Sequence, residues 1–571
     1  MIANSIYNKV AKLYGEASAT EITDDILALM KKWQDKAPQY QNWVDQRTSY
    51  LITYGDSFST QAEPTLATMK TFADRHLKGA LSNIHILPMF PYTSDDGFSV
   101  VDYRQVDPNL GDWEQLNALS ENFDLMYDCV INHISKSSDW FQGYLAGDAK
   151  YQDYFVESDP SLDYSSVTRP RALPLHTPFS KASGETVHVW TTFSDDQIDI
   201  NFHSPKVLLE SIDILLMYAA NGGRSIRLDA IGFIWKKLGT TCIHLEEAHE
   251  IIKLWRIILD EVMPGTLLIT ETNVPHKENV SYFGAGDEAH MVYQFPLPPL
   301  TLHALMSENS ETLTQWATSL TNEAMVRLAQ GDKTTYFNFL ASHDGIGVRP
   351  TEGILTDEDR QMMCAQVERK GGRVNYKNNG DGTQSPYELN INYLSAITEP
   401  TDSIDDKAKK FIAAQSILLS FIGVPAIYYH SLLGSENDVQ GMLDSGINRR
   451  INREKLDLSE LESELADEDS LRSKVFKSMM HLLNLRQQYA AFSPQASQQV
   501  LNLGDGIFAL QRGDGEEAIR FAVNLTSQAQ AVVLADSGFD LISEQLMPTE
   551  FELAPYQFVW LTDTAKIRNT S

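Results

Sequence analysis

Short apolar, β-branched runs recur along the chain, at residues 49–54, 84–90, 125–131, 225–229, 266–270, 291–294, 336–341 and 424–429. They are too short for core helices and lack the polar alternation of a half-exposed sheet, so they predict strands buried on both faces, the pattern of a parallel sheet. Between many of them the apolar positions change to helical spacing, as over 207–220 and 249–262. Eight such strands alternating with helices predict an α/β fold, a (β/α)8 TIM barrel.

Four stretches fall outside that alternation. Residues 1–48 set Ile22, Ile26, Leu27, Met30 and Trp33 at helical spacing and predict a helical appendage on the surface. The barrel then takes up 49–134, 206–344 and 406–495. Two intervals are too long for loops and predict insertions with structure or function of their own: 135–205 after the third strand and 345–405 after the seventh. In the second, Asn378-Asn379-Gly380-Asp381-Gly382-Thr383 is turn chemistry, as in a mobile loop. Residues 496–571 hold strand-like runs at 506–511, 518–524 and 530–534 between Gly- and Asp-rich turns, which predicts a terminal antiparallel β domain.

Composition narrows the partners. The 571 residues are 43% apolar, enough for a large core, and Lys plus Arg number 46 against 77 Asp plus Glu. The resulting net charge of −31 argues against nucleic acid or an anionic membrane as partner. Cys129, Cys242 and Cys364 lie far apart without metal-ligand spacing, and no Asp-x-Asp-x-Asp-Gly calcium loop occurs. The N-terminus, Met1-Ile2-Ala3-Asn4-Ser5, has neither a basic nor an apolar leader region, and the longest apolar stretch, 417–429, is too short to span a bilayer and is broken by Pro425. The expectation is a soluble cytoplasmic protein, monomer or homodimer, with no metal and no cofactor.

Polar chemistry collects where strands end. Asp128-Cys129-Val130-Ile131-Asn132-His133, Ile226-Arg227-Leu228-Asp229-Ala230-Ile231-Gly232, Leu268-Ile269-Thr270-Glu271-Thr272 and Phe339-Leu340-Ala341-Ser342-His343-Asp344 each end an apolar run with carboxylate or imidazole. The C-terminal tips of barrel strands are where such folds keep catalytic groups. Arg227 and Asp229, two apart on one strand, leave the same face, and the guanidinium is expected to lower the Asp229 pKa and keep it ionised, as a carboxylate nucleophile requires. Glu271 has no basic neighbour in sequence and is the better general acid; two carboxyls in unequal environments divide the roles of nucleophile and acid.

These four segments resemble the signature regions of the α-amylase superfamily, glycoside hydrolase family thirteen. Ile86-Leu87-Pro88-Met89-Phe90-Pro91, Ser94-Asp95-Asp96-Gly97-Phe98, Arg169-Pro170-Arg171, Gly239-Thr240-Thr241-Cys242, His343-Asp344-Gly345-Ile346-Gly347 and Ile451-Asn452-Arg453 are similar to the sucrose-phosphorylase subfamily. Within it, Val167-Thr168-Arg169-Pro170-Arg171-Ala172-Leu173-Pro174, Glu271-Thr272-Asn273-Val274-Pro275-His276-Lys277 and Lys377-Asn378-Asn379 most resemble glucosylglycerate phosphorylases. The resemblance implies Asp229 as nucleophile, Glu271 as acid/base and Asp344 as transition-state carboxylate. It implies a glucose site of Asp95, Phe98, His133, Phe193, Gln197, Arg227, His343 and Arg453, with 135–205 as the small domain that roofs it.

A hydrolase and a phosphorylase share all of this and differ only in what opens the glucosyl-enzyme. Phosphate needs cations, and in so acidic a chain Arg169 and Arg171, in a Pro-bracketed turn, are the best candidates. The subfamily uses the residue matching Arg171 for phosphate, with a loop tyrosine matching Tyr387. Where sucrose phosphorylases bind fructose, this chain departs, with Asn273, Ser385 and Glu388. Glycerate, a small anion like phosphate, can occupy an Arg-lined subsite, but Glu388 would not favour a carboxylate, and neutral glycerol stays open. The expected reaction is reversible, retaining phosphorolysis of 2-O-α-D-glucosyl-D-glycerate to α-D-glucose 1-phosphate and D-glycerate, with inorganic phosphate as the only co-substrate. The alternatives are a sucrose or glucosylglycerol phosphorylase, an α-glucoside hydrolase or transglucosylase, or a barrel that only binds.

Overall fold

In the computed structural model, which describes residues 1–563 apart from 37, 39, 41, 42, 172, 380 and 381, the eight runs form a closed parallel barrel. Its strands are β1 (Tyr50–Thr53), β2 (Asn83–Ile86), β3 (Asp124–Cys129), β4 (Gly223–Leu228), β5 (Leu267–Thr270), β6 (Met291–Tyr293), β7 (Thr335–Asn338) and β8 (Val424–Tyr428). They neighbour one another in sequence order, and β1 closes the cylinder on β8, with Tyr50 opposite Ala426 and Leu51 opposite Ile427. All their residues except Asp124 are buried, the physical reason the runs are continuously apolar. The second strand ends earlier than expected, at Ile86, because Pro88 has no N–H to extend a ladder.

Helices including Thr65–His76, Pro205–Ala220, Glu246–Val262, Glu311–Ala329, Ile404–Ser420 and Leu471–Arg486 form the outer ring. Inside the cylinder, side chains stack in layers. The hydroxyls of Tyr50 and Ser225 meet at 2.6 Å, Phe337 stacks on Tyr293 with ring centroids 4.8 Å apart, and above them lies a buried polar layer of His85, Asp128 and Arg227.

The N-terminal segment is two helices, Ile2–Tyr14 and Glu16–Gln34, broken at Gly15, where φ is 86°. It is docked on the barrel: Ile6, Val10, Ile22 and Ile26 are buried, Lys9 pairs with Glu250 at 2.8 Å, and the Trp33 indole donates to Asp213 at 2.8 Å. The insertion after β3 carries the helix Asp139–Ala146, a hairpin of His176–Ser180 and Thr186–Trp190, and the antiparallel pair His133–Ser135 and Gln197–Asp199. The buried Lys236 ammonium ties it to the barrel, donating to Asn132 Oδ1 at 2.9 Å and reaching Asp199 Oδ2 at 2.8 Å. The insertion after β7 combines the helix Asp357–Arg369 with a three-stranded sheet of Ile346–Gly347, Gln384–Asn390 and Arg373–Asn378. A six-stranded antiparallel sheet running from Gln498–Leu501 to Phe558–Thr562 forms the terminal domain, whose residues 564–571 lie outside the described ones. Among the described residues no helix is long and apolar enough to cross a membrane.

Candidate active site

The site is assembled from β4 outward. Arg227 lies in the barrel interior; its Nε donates to the Tyr293 hydroxyl at 2.9 Å, and one terminal nitrogen donates to both Asp128 and Asp229 Oδ1, the latter at 2.7 Å. The other terminal nitrogen stands 3.7 Å from Glu271 Oε2, so one guanidinium is flanked by the carboxyls of two adjacent strands. Asp128 holds Arg227 from behind and is itself paired with His85 Nε2 at 2.7 Å. Glu271 Oε2 also accepts the Ala230 N–H at 3.2 Å, and Ala230 has a left-handed φ of 48°. A non-glycine residue in that region costs roughly 1–3 kcal/mol, strain that the packed barrel end must sustain.

Burial raises both carboxyls of the pair. The Asp229 carboxyl is pushed up by burial against the pull of Arg227 and His133, so the net lowering expected from the Arg227 neighbour is not met: desolvation outweighs the guanidinium. Glu271 is pushed up to about 7, by burial first and then by the negative charges of Asp229 and Asp344, with Arg227 opposing. The guanidinium is nearer Asp229 than Glu271, so when one proton is shared between two raised carboxyls, Asp229 is the favoured anion and Glu271 the favoured acid.

Asp344 contrasts with both. Burial would lift its carboxyl, but Arg449, His343 and Arg453 outweigh that and hold it well below the usual range, with Arg449 at 2.7 Å. Burial keeps the His343 imidazole neutral, its pKa pushed down to about 3, and Phe98 stacks on its ring at 4.9 Å. His133 Nε2 lies 2.9 Å from the Phe98 carbonyl, Gln197 Nε2 donates to Asp95 at 3.1 Å, and Phe193 packs on His133 at 5.2 Å. Asp95 and Asp96 both have left-handed backbones, φ 56° and 46°, ahead of Gly97 at φ 110°. A Cβ on Gly97 would sit 2.9 Å from the Pro88 carbonyl oxygen, so only glycine closes this turn.

Asp229, Glu271, Asp344, Arg227, His343, Phe98, His133, Phe193, Gln197 and Asp95 line one cleft at the C-terminal mouth of the barrel, together with Arg171, Asn273, Tyr387 and Glu388. Three expected site residues stand elsewhere. Arg453 lies behind the wall, its Nε donating to the His343 carbonyl at 2.7 Å and a terminal nitrogen bonding Asp96, while Asp95 instead meets Arg171 at 3.3 Å. Arg169 is exposed and turns back on the Leu173 carbonyl of its own loop. Ser385 sits near the tip of the hairpin, exchanging hydrogen bonds with Asn379. Ala172 of the arginine loop and Gly380 and Asp381 of the hairpin lie outside the described residues.

Sequence reasoning missed Tyr293, Phe295, Phe339 and Arg449, which also line the cleft. Tyr293 ends a recognised strand and was findable by its side-chain alternation; Arg449 had only its place in an arginine-rich run as a signal. Among the described residues no group of three or more His, Cys, Asp or Glu side chains is placed to hold a metal ion.

A closed parallel barrel with three carboxyls and two imidazoles at its mouth, under an inserted domain, defines a class of barrel enzymes for glycosidic bonds. Residues 77–369 match the alpha-amylase catalytic domain, and the chain belongs to that family. It is 46% identical to glucosylglycerate phosphorylase of Spirochaeta thermophila, across 95% of this chain and 94% of that protein. To glucosylglycerate phosphorylase of Allomeiothermus silvanus it is 48% identical, across 91% of each. Among solved structures, sucrose 6F-phosphate phosphorylase from Thermoanaerobacter thermosaccharolyticum shares the fold, with a TM-score of 0.73 at 23% identity, covering 89% of this chain and 98% of that one.

Proposed function

We propose that this chain is a retaining α-glucosyl phosphorylase that reversibly converts 2-O-α-D-glucosyl-D-glycerate and inorganic phosphate to α-D-glucose 1-phosphate and D-glycerate. The observation that carries the reading is the 46–48% identity, over more than nine-tenths of the chain, to two proteins named for this activity. The residues supply a double displacement. Asp229 attacks the anomeric carbon while Glu271 passes its proton to the departing glycerate oxygen, leaving a glucosyl ester on Asp229. Phosphate then attacks the same carbon, gives its proton to Glu271, and the ester bond breaks with overall retention. Asp344, ionised beside His343, stabilises the positive charge that develops on the sugar in the transition state of each step. No step needs a cofactor, since phosphate is itself the second substrate.

Arg171 serves the second step. It reaches the cleft beside Asp95 and over the Phe193 ring at 5.5 Å, whereas Arg169 faces away. In Arg171→Ala the ratio of glucose 1-phosphate to free glucose should fall about 10- to 100-fold, the loss of one charge-assisted contact to phosphate, while the glucosyl-enzyme still forms. An unchanged ratio would place phosphate elsewhere.

The acceptor decides the particular phosphorylase. From α-D-glucose 1-phosphate, D-glycerate at equal concentration should be glucosylated faster than fructose or glycerol. The objection that Glu388 repels a carboxylate loses force, because its Oε1 meets Arg449 at 2.9 Å and the Gly345 N–H at 2.7 Å, and its Oε2 accepts from Arg449 Nε at 3.3 Å. Initial rates decide the matter, and fructose as best acceptor would return the chain to sucrose phosphorylase.

A further inference from the structure

The cleft adjoins a second cavity at a shared wall. Asp95, Arg171, Tyr387, Glu388 and Arg449 line both, so two guanidinium groups stand where the cavities meet. Arg449 is brought there by the single-turn helix Asn448–Asn452. It pairs with Asp344 Oδ1 at 2.7 Å and with Glu388 Oε1 at 2.9 Å, and its Nε donates to Glu388 Oε2 at 3.3 Å. Glu388 is almost fully buried, and it also accepts from the Gly345 N–H at 2.7 Å and Asn375 Nδ2 at 3.2 Å. Asn375 in turn accepts from Asn448 Nδ2 at 2.7 Å, which locks the hairpin carrying Glu388 to the turn carrying Arg449. The effect of so many bonds on one carboxylate is to fix the guanidinium: Glu388 is the counter-ion that orients Arg449, and its charge is already matched.

We infer that Arg449 reads the charge of the acceptor, pairing with its carboxylate while the glucosyl ester waits on Asp229. The inference rests on the glycerate reading above. A guanidinium presents about five N–H donors in a planar fork, and with each nitrogen facing a single oxygen of Asp344 or Glu388 the two terminal nitrogens still have N–H groups to offer a ligand. Asn273 lines the same cleft, and its Oδ1 is buried without a hydrogen-bond partner among the described residues, so it can accept from a hydroxyl of the same small acid. A hydroxy acid satisfies both groups, whereas a neutral polyol gives the remaining guanidinium N–H groups no charged acceptor, and polar sites of this kind discriminate strongly.

Competition between acceptors separates this role from mere support of Asp344. With α-D-glucose 1-phosphate as donor and D-glycerate and glycerol in one vessel, both attack the same glucosyl-enzyme, so the product ratio cancels every earlier step. The glycerate-to-glycerol ratio should fall about 10-fold in Arg449→Lys, which keeps the charge and loses the fork, and about 100-fold in Arg449→Gln. A ratio unchanged in both variants overturns the inference while leaving the glycerate reading intact; a wild-type enzyme that prefers glycerol or fructose overturns the reading and the inference together. Should either variant transfer no glucose at all, calorimetric binding of D-glycerate in the presence of glucose decides the same point: weakened affinity supports the role, and affinity equal to wild type refutes it.

Discussion

Asp229→Ala is expected to lose glucosyl transfer from every donor, by about four orders of magnitude or more in kcat. Without the carboxylate there is no oxygen to form the ester, and neither phosphate nor glycerate has a covalent intermediate to open. The loss should be the same for glucosylglycerate, glucose 1-phosphate and an aryl glucoside, because all three converge on that ester. The fold should survive, since Arg227 keeps its bonds to Asp128 and the Tyr293 hydroxyl. Thermal melting of the variant checks the fold, and glucose 1-phosphate release checks the chemistry. Phosphorolysis at anything near the wild-type rate would remove Asp229 from its role.

Glu271→Gln should lower turnover of glucosylglycerate by about 10²- to 10⁴-fold, the usual contribution of a positioned acid. An activated aryl glucoside, whose leaving group needs little protonation, should lose much less in its first step. The same group sets a pH limb. The acid must hold its proton, and burial pushes Glu271 up to about 7, so the wild-type rate of the first step should fall as pH rises through that value. In Glu271→Gln that proton is gone, and the alkaline limb on residual glucosylglycerate turnover should vanish. Equal losses on both donors, or a limb that persists in the variant, would reassign the acid.

The barrel was legible because a strand buried on both faces must be apolar along its whole length, and the polar residue that interrupts it at the mouth stands out. Arg227 and Asp229 could be placed on one face from the strand period alone, and the cleft contains both. The loop residues were not legible in this way. Arg449, Arg450 and Arg453 sit in one short run, and what sends Arg449 into the cleft is Glu388, on a hairpin distant in sequence. Arg169 and Arg171 likewise differ only through the loop's path, which turns one onto the Leu173 carbonyl and the other onto Asp95. The direction of the Asp229 pKa was missed because desolvation depends on everything that packs around the carboxyl, whereas the sequence displays only its nearest charged neighbour.

Barrel closure has a consequence for how the chain is made. Tyr50 on β1 lies opposite Ala426 on β8, so the first strand to leave the ribosome has one of its two ladders satisfied only after the last strand is synthesised. At about 5–20 residues per second, translation of the segment between them takes roughly 20–75 s, during which a nascent open sheet exposes an apolar strand edge. Added chaperone capacity should therefore raise the soluble yield more than any change to the active site, because the vulnerable species is the unfinished cylinder on the ribosome.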